Sequence, residues 1–305
     1  MLTYIAKRLL LGLLVMLAVS TIVFTLTNAA VDPAQAIAGD GASTADIEAI
    51  RKAYGFDRPV IYRYADWLVE AASGDLGVSY RQKRPVFDIV VERLPVTMTL
   101  GFLALLFALV LAVPLGIIAA LKPNSWIDRA ALTLALVGQA LPTFWFALLG
   151  IVLFSVTLGW LPASGSDDAL SFVMPAIALG YYAAPAIMRL TRAGMLEVLD
   201  ADYIRTARAK GLSRRTIVLK HALRNAILPV VSVAAVQFGF MLGGSVVIET
   251  IFAMQGIGYL AWESISLSDL PVIQAIVLMT SSFYILLTLL ADIVNAWLDP
   301  RIRVA

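Results

Sequence analysis

The stretch Asp200-Ala-Asp-Tyr-Ile-Arg-Thr-Ala-Arg-Ala-Lys-Gly-Leu-Ser-Arg-Arg-Thr-Ile-Val-Leu-Lys-His-Ala-Leu-Arg-Asn-Ala-Ile-Leu-Pro229 is the one long, strongly basic segment of a chain that is otherwise mostly apolar. Asp202 is placed to cap a helix running through Ala207 to Lys210. Gly211 stands where a left-handed residue ends such a helix, and Ser213 is placed to start a second one reaching towards Pro229. The expectation is a bent helix pair outside a membrane, held between apolar runs that cross it.

Composition sets the class. Hydrophobic residues make up 60% of the chain and charged residues 14%, and the mean hydropathy is +0.86, well outside the range of soluble domains. Cys is absent and there is a single His, which excludes disulfide frameworks, zinc clusters and thiol catalysis. No Gly-x-x-x-x-Gly-Lys-Ser/Thr loop occurs, so the chain is not itself a P-loop ATPase. No catalytic, cofactor-binding or metal-ligating residue is expected.

Lys7 and Arg8 precede an apolar run from Leu9 to about Ala29, long enough for a hydrocarbon core that needs about 20 residues. A cleaved signal peptide, with Ala34-Gln35-Ala36 as its cleavage site, is the competing reading; the run is longer than a signal h-region. Residues 30–95 form the longest polar excursion. Ser43 with Asp46 makes a capping box, with Gly55 as the stop, and a second amphipathic helix starts at Pro59 and ends before Gly74-Asp75-Leu76-Gly77. A third stretch, Pro85 through Leu94, is expected along the membrane surface.

Five more spans follow: Val96 to Leu121, Ala130 to Leu158, Ser171 to Leu190, Ala226 to Ile251 and Val272 to Trp297, interrupted by Pro114, Pro142, Pro175 and Pro185. The connecting loops alternate in charge. Lys122 and Arg129 flank one, Asp167 and Asp168 mark the next, the bases of residues 191–225 fill the third, Glu263 and Asp269 mark the fourth, and Arg301 and Arg303 end the tail. Positive-inside bias then puts both termini in the cytoplasm. The expected organisation is 1–29, cytoplasmic N-terminus and first span; 30–95, extracytoplasmic helical insertion; 96–298, a core of five spans with the cytoplasmic loop 191–225; and 299–305, cytoplasmic tail.

The order of these features resembles the inner-membrane permease subunits of binding-protein-dependent ABC importers, in the branch serving dipeptides, oligopeptides and nickel. It is similar to the first of that branch's two permeases. The likeness runs from Tyr4 to Arg303 and is carried by Asp202-Tyr203-Ile204-Arg205-Thr206-Ala207-Arg208-Ala209-Lys210-Gly211, then His221-Ala222-Leu223-Arg224-Asn225 and Leu228-Pro229. Supporting strings are Gly74-Asp75-Leu76-Gly77, Glu92-Arg93-Leu94-Pro95, Glu249-Thr250-Ile251-Phe252, Asp269-Leu270-Pro271 with Gln274, and Asp299-Pro300-Arg301. Where the wider superfamily has Glu-Ala-Ala, this chain has Arg205-Thr206-Ala207, so a contact made elsewhere by that Glu is not assigned to Arg205.

The resemblance implies an all-α polytopic protein with six transmembrane helices and a type I ABC importer permease fold in a bacterial or archaeal cytoplasmic membrane. Its implied partners are a second homologous permease, two nucleotide-binding ATPase subunits that bind ATP and Mg, an extracytoplasmic substrate-binding protein and the lipid bilayer. The implied cargo is di- or oligopeptides, the alternatives being nickel, glutathione or another small solute. A self-sufficient six-span secondary transporter or channel is the competing class, for which intramembrane ionisable groups are almost lacking.

The expected ATPase-coupling residues are Asp202, Arg205, Ala207, Arg208, Lys210 and Gly211, with small Ala207 and Ala209 on the docking face; a topology signal at the headgroup layer is the plainer account of the same bases. Nucleic acid is a poor partner, because the bases lack interleaved aromatics. Gln139, Tyr181, Tyr182 and Gln237 are candidates for lining a pathway, packing hydrogen bonds being an equal account. His221 reads as a packing residue, and Asp292 as either an intramembrane or an interfacial carboxylate.

Overall fold

The computed structural model describes residues 2–39 and 41–298. The expected tail at 299–305, with Asp299-Pro300-Arg301 and Arg303, lies outside the described residues. Those residues form α1 (Leu2–Ala30), α2 (Pro33–Ala38), α3 (Thr44–Ala53), α4 (Val60–Ala72), α5 (Val86–Leu121), α6 (Trp126–Ala140), α7 (Thr143–Gly150), α8 (Val173–Leu199), α9 (Asp202–Ala209), α10 (Arg214–Thr216), α11 (Leu223–Ala226), α12 (Leu228–Ile251), α13 (Ile257–Ser266) and α14 (Leu270–Leu298). Among them there is no β-strand, and Val78 and Pro85 share one isolated antiparallel bridge.

Among the described residues five helices are long and apolar enough to cross a membrane: Ala6–Ala30, Val86–Leu121, Ala169–Leu199, Leu228–Ile251 and Leu270–Ile293. The span expected at Ala130 to Leu158 is broken instead. α6 stops at Ala140, Leu141 is extended at φ −89° and ψ 132°, and α7 passes into a π turn over Ile151–Thr157. Pro142 favours the break, because its ring disfavours the helical conformation at the residue before it, and here Leu141 takes the extended alternative.

The surface helix expected over Pro85 to Leu94 is also corrected. Those residues are the first turns of α5, which continues through Pro95 as one helix of 36 residues. At 1.5 Å per residue it is about 54 Å long against a core of about 30 Å, so it projects beyond the hydrocarbon or tilts. Its early residues Val86, Ile89 and Val90 are buried in a cluster with Ile257, Leu260 and Val272, which supplies the packing that a surface helix would take from lipid.

The chain divides into two compact units. One comprises Leu2–Thr97 and Gln255–Ile285. In it Phe24 of α1 meets Tyr64 and Trp67 of α4 with ring centroids 5.3 and 5.6 Å apart, and Ser20 and Thr21 hydrogen-bond the Tyr64 hydroxyl. The Ser43–Asp46 capping box is formed, and Gly55 takes a left-handed φ of 66° after α3. Ala34-Gln35-Ala36, the stretch considered as a cleavage site, lies in α2, which Asp32 caps and which buries Ala34 and Ala36. The buried Asp269 carboxylate accepts from Ser79 Oγ at 2.5 Å and from the Tyr80 N–H at 3.0 Å, fixing the turn before α5 to the start of α14. Gln274 Nε2 donates to Thr27 Oγ1 at 2.8 Å. Two of the short strings quoted from sequence therefore meet in one joint: Leu76 is buried in the shared cluster, and a Cβ on Gly77 would lie 3.9 Å from Pro271.

The other unit comprises Met98–Met254 and the stretch from Leu286. Its organising feature is a stripe on α5 in which Leu100, Ala104, Ala108 and Ala112 are all fully buried, four residues apart. Small side chains there let α8 come close enough that a Cβ on Gly180 would sit 2.3 Å from the Ala104 carbonyl oxygen. The same holds lower down, where a Cβ on Gly116 would meet Thr191 Cβ at 2.7 Å.

Candidate coupling interface

α8 runs on to Leu199, well past the Leu190 at which its span was expected to end, and hands over to α9 through Asp200 and Ala201. The cap of α9 differs from expectation. Ala201 occupies the extended cap position with no side-chain cap bond, and Asp202 lies inside the first turn, where it pairs with Arg205 at 3.1 Å and suits the positive end of the helix dipole. Both partners are exposed, so the pair adds little stability.

The far end of α9 closes as the sequence requires. Gly211 has φ +72°, its N–H donates to the Arg208 carbonyl at 3.0 Å, and the Leu212 N–H donates to the Ala207 carbonyl at 3.3 Å. This is a Schellman closure, in which a glycine takes the left-handed position at no steric cost. Ser213 then caps α10, its Oγ accepting from the Thr216 N–H at 3.2 Å. The second helix does not reach Pro229 in one piece: a π turn over Ile217–Ala222 and the short α11 intervene, and α12 starts afresh at Leu228. Pro229 has no N–H to donate and its ring clashes with the carbonyl four residues back, so a continuous helix is interrupted there.

Ala207 also differs from expectation, being turned away from the exposed face. It is 7% exposed and, with the fully buried Ile204, packs into a cluster with Met195, Ile217, Val218, Ala222 and Ala226. Residues three apart share a helix face, and an eight-residue helix needs such a face buried to persist. The face left outside carries Tyr203, Arg205, Thr206, Ala209 and Lys210. Arg208, also exposed, reaches back to the Leu199 carbonyl at 3.4 Å, and the Tyr203 hydroxyl accepts from Asn225 Nδ2 at 2.8 Å. The arrangement is a short basic helix seated on its own apolar cluster.

A buried pair that sequence reading did not identify supports this end of the unit. The Asp128 carboxylate, in the first turn of α6, accepts from Arg192 Nε at 2.7 Å, from Arg192 Nη2 at 2.6 Å and from the Asn124 N–H at 2.9 Å. Ser125 caps the same helix with an Asp three residues on, which was the available signal. The Arg192 guanidinium holds the Asp128 carboxyl below the usual carboxylate range. A carboxyl with a depressed folded-state pKa contributes stability that is present above its unfolded pKa of about 3.9 and is lost as pH falls through the lower folded value. Asp128→Ala also strands a largely buried guanidinium, with an expected cost of about 3 kcal/mol at pH 7. The gap in thermal unfolding between wild type and Asp128→Ala in detergent should therefore narrow as the pH is lowered below about 4; an equal gap at pH 7 and at acid pH would remove the pair from the account.

Among the pathway candidates, Gln139 Oε1 accepts from Arg189 Nη1 at 3.2 Å, and the Tyr181 hydroxyl donates to the Leu134 carbonyl at 2.7 Å. Both therefore make contacts between α6 and α8. Tyr182 stacks on Phe240 at 6.1 Å and keeps an exposed face, and Gln237 is half-buried one turn before Phe240 on α12. His221 lies half-buried in the π turn, and Asp292 is half-buried in α14. Among the described residues no cluster of three or more His, Cys, Asp or Glu is placed to hold a metal.

Comparison with known proteins gives concordant results. The family described as "Binding-protein-dependent transport system inner membrane component" matches residues 112–304, and its companion "Binding-prot-dependent transport system membrane comp, N-term" matches residues 1–101. The chain is 41% identical over 304 residues to the "Glutathione transport system permease protein GsiC" of Escherichia coli K12, covering 99% of each, and equally so to that of Shigella dysenteriae serotype 1. Among solved structures, inward-facing forms of the MetNI methionine ABC transporter superpose with TM-scores of 0.56 and 0.57, at 19% and 20% identity, over 69% of this chain and 96% of that one.

Proposed function

Because this chain belongs to the binding-protein-dependent inner membrane components, as an ABC importer permease of the peptide and nickel branch, we propose that its cargo is a short peptide of the glutathione kind. The observation that carries the cargo is the 41% identity, over 99% of both chains, to a glutathione transport permease. In this reading the chain is a non-catalytic subunit. It forms the pathway with a second, homologous permease, receives cargo from an extracytoplasmic binding protein, and is driven by two partner ATPases that bind ATP and Mg. Residues 30–95 lie outside and meet the binding protein, and residues 191–225 lie inside with both termini. The exposed face of α9, with Arg205, Lys210 and the Gly211 turn, is the surface offered to the ATPase.

Two measurements test it. The assembled importer, reconstituted in lipid with its binding protein, should take up labelled reduced glutathione with ATP; uptake of nickel alone would replace the cargo. For orientation, single cysteines at Ser43, Ser166, Ser213 and Ser268 are exposed to an impermeant thiol reagent in intact spheroplasts. Labelling is expected at Ser43, Ser166 and Ser268 and not at Ser213, following the alternation of loop charge; the reverse pattern at Ser166 and Ser213 would invert the topology.

A further inference from the structure

A cavity of about 480 Å³ opens within the unit built from α1 to α4 and the first turn of α14, walled by Phe56, Trp67 and Tyr80 among others. That volume lies in the range of roughly 300–1,000 Å³ typical of small-molecule sites, and aromatic walls with a few charged groups are their usual lining. The helix contacts already described do not use the charges that line it.

Arg63 is fixed in place, with Nη2 on Asn28 Oδ1 at 2.5 Å and its guanidinium 4.9 Å over the Phe56 ring. Lys83 is held by backbone in the left-handed region, at φ +56°, and its N–H donates to the Ser79 carbonyl at 3.1 Å in the turn that Asp269 pins. A non-glycine residue in that region persists only where its surroundings enforce it, and such residues concentrate at functional sites. Among the described residues, the Lys83 ammonium and the Glu70 carboxylate have neither an ion pair nor a hydrogen bond, and both line the cavity. Burial pushes the Tyr80 phenol up to about 12, so it remains a hydrogen-bond donor at neutral pH.

The charges select a ligand class. Arg58 and Asp66 neutralise each other at 2.7 Å, which leaves two cations, Arg63 and Lys83, and one carboxylate, Glu70. The complement is a molecule with two carboxylates and one ammonium. We propose that this cavity is a docking site for a short acidic peptide, with Glu70 receiving its ammonium and Arg63 and Lys83 its two carboxylates. The assignment rests on the short-peptide cargo proposed above and adds a waypoint within this chain.

The test uses the complete importer in lipid nanodiscs without its binding protein, titrated with reduced glutathione and with the neutral-overall dipeptide glycylglycine. Saturable glutathione binding is expected, at least tenfold weaker in Glu70→Gln and in Lys83→Gln, and at least tenfold weaker for glycylglycine. Glu70 and Lys83 are exposed, so neither variant removes packing. No saturable binding to the wild type, unchanged affinity in both variants, or displacement of glutathione by short-chain phosphatidylethanolamine at equal strength would each overturn the site, the last in favour of a lipid headgroup. Uptake is measured on the same preparations after adding binding protein and ATP. Wild-type uptake without cavity binding removes only the cavity, whereas absence of wild-type uptake removes the cargo assignment itself.

Discussion

Gly180→Val is expected to abolish folded permease in the membrane. A Cβ at position 180 would stand 2.3 Å from the Ala104 carbonyl oxygen and 3.0 Å from both the Ala104 carbonyl carbon and the Phe107 ring. Favourable C···O contacts begin at about 3.3 Å, so α5 and α8 would have to separate by about 1 Å at this level. The obstacle is backbone, which cannot swing aside as a side chain does. Separation would also loosen the Ala108–Ala112 stripe and the Gly116–Thr191 contact below it. Inside a bilayer, close packing of small residues is a principal source of helix association, with no hydrophobic effect between helices to replace it. Fluorescence-detected size exclusion should therefore show less than about a tenth of the wild-type monodisperse peak, on the scale of a penalty above 1.4 kcal/mol in assembly. Gly243→Ala on α12, where an added Cβ meets nothing within 4 Å, is the matched control and should be normal. A wild-type peak from Gly180→Val would mean that the two helices are not held at this distance.

The glycine contacts show where sequence reading stops. Helix ends were legible, because capping chemistry is local: Ser43 with Asp46, Gly55, Gly211 and Ser213 all take the roles their residue types suggest. The amphipathic α4 was legible for the same reason, since Tyr64 and Trp67 share one face. Features set by a distant partner were not. Pro95 reads as a boundary on its own, yet α5 passes through it because Val86, Ile89 and Val90 have a buried cluster to enter. Asp128 and Arg192 are 64 positions apart, and each reads alone as a loop charge. The four-residue spacing of Ala104, Ala108 and Ala112 was visible, but an apolar span offers no polar face against which to recognise a packing stripe. Ala207 combined both difficulties. Its small size suited a docking face, but its spacing from Ile204 placed it on the inner one.

The burial of Ala207 separates the effects expected of two substitutions in the loop 191–225. Ala207→Glu puts a carboxylate into the cluster of Ile204, Met195 and Ala222, so it should unseat α9 itself and lower the stability of the loop. Gly211→Asp acts differently. Its φ of +72° costs a non-glycine residue about 1–2 kcal/mol, yet no atom lies within 4 Å of the added Cβ, so the isolated chain has room for the side chain. The new carboxylate would project from a turn exposed beside Lys210, on the face proposed above to meet the ATPase. Closure of an ATPase dimer shifts the inward–outward equilibrium only through contacts that differ between the two states, and a rigid helix carries such contacts to the spans. Gly211→Asp should accordingly leave insertion and pairing with the second permease near normal, while uptake falls more than tenfold and stimulation of ATP hydrolysis by loaded binding protein disappears. Gly211→Asn, which tolerates the left-handed region and adds no charge, should retain most of the activity. Wild-type uptake and stimulated hydrolysis in Gly211→Asp would place ATPase docking on some surface other than the α9 turn and leave its bases as a topology signal at the headgroup layer.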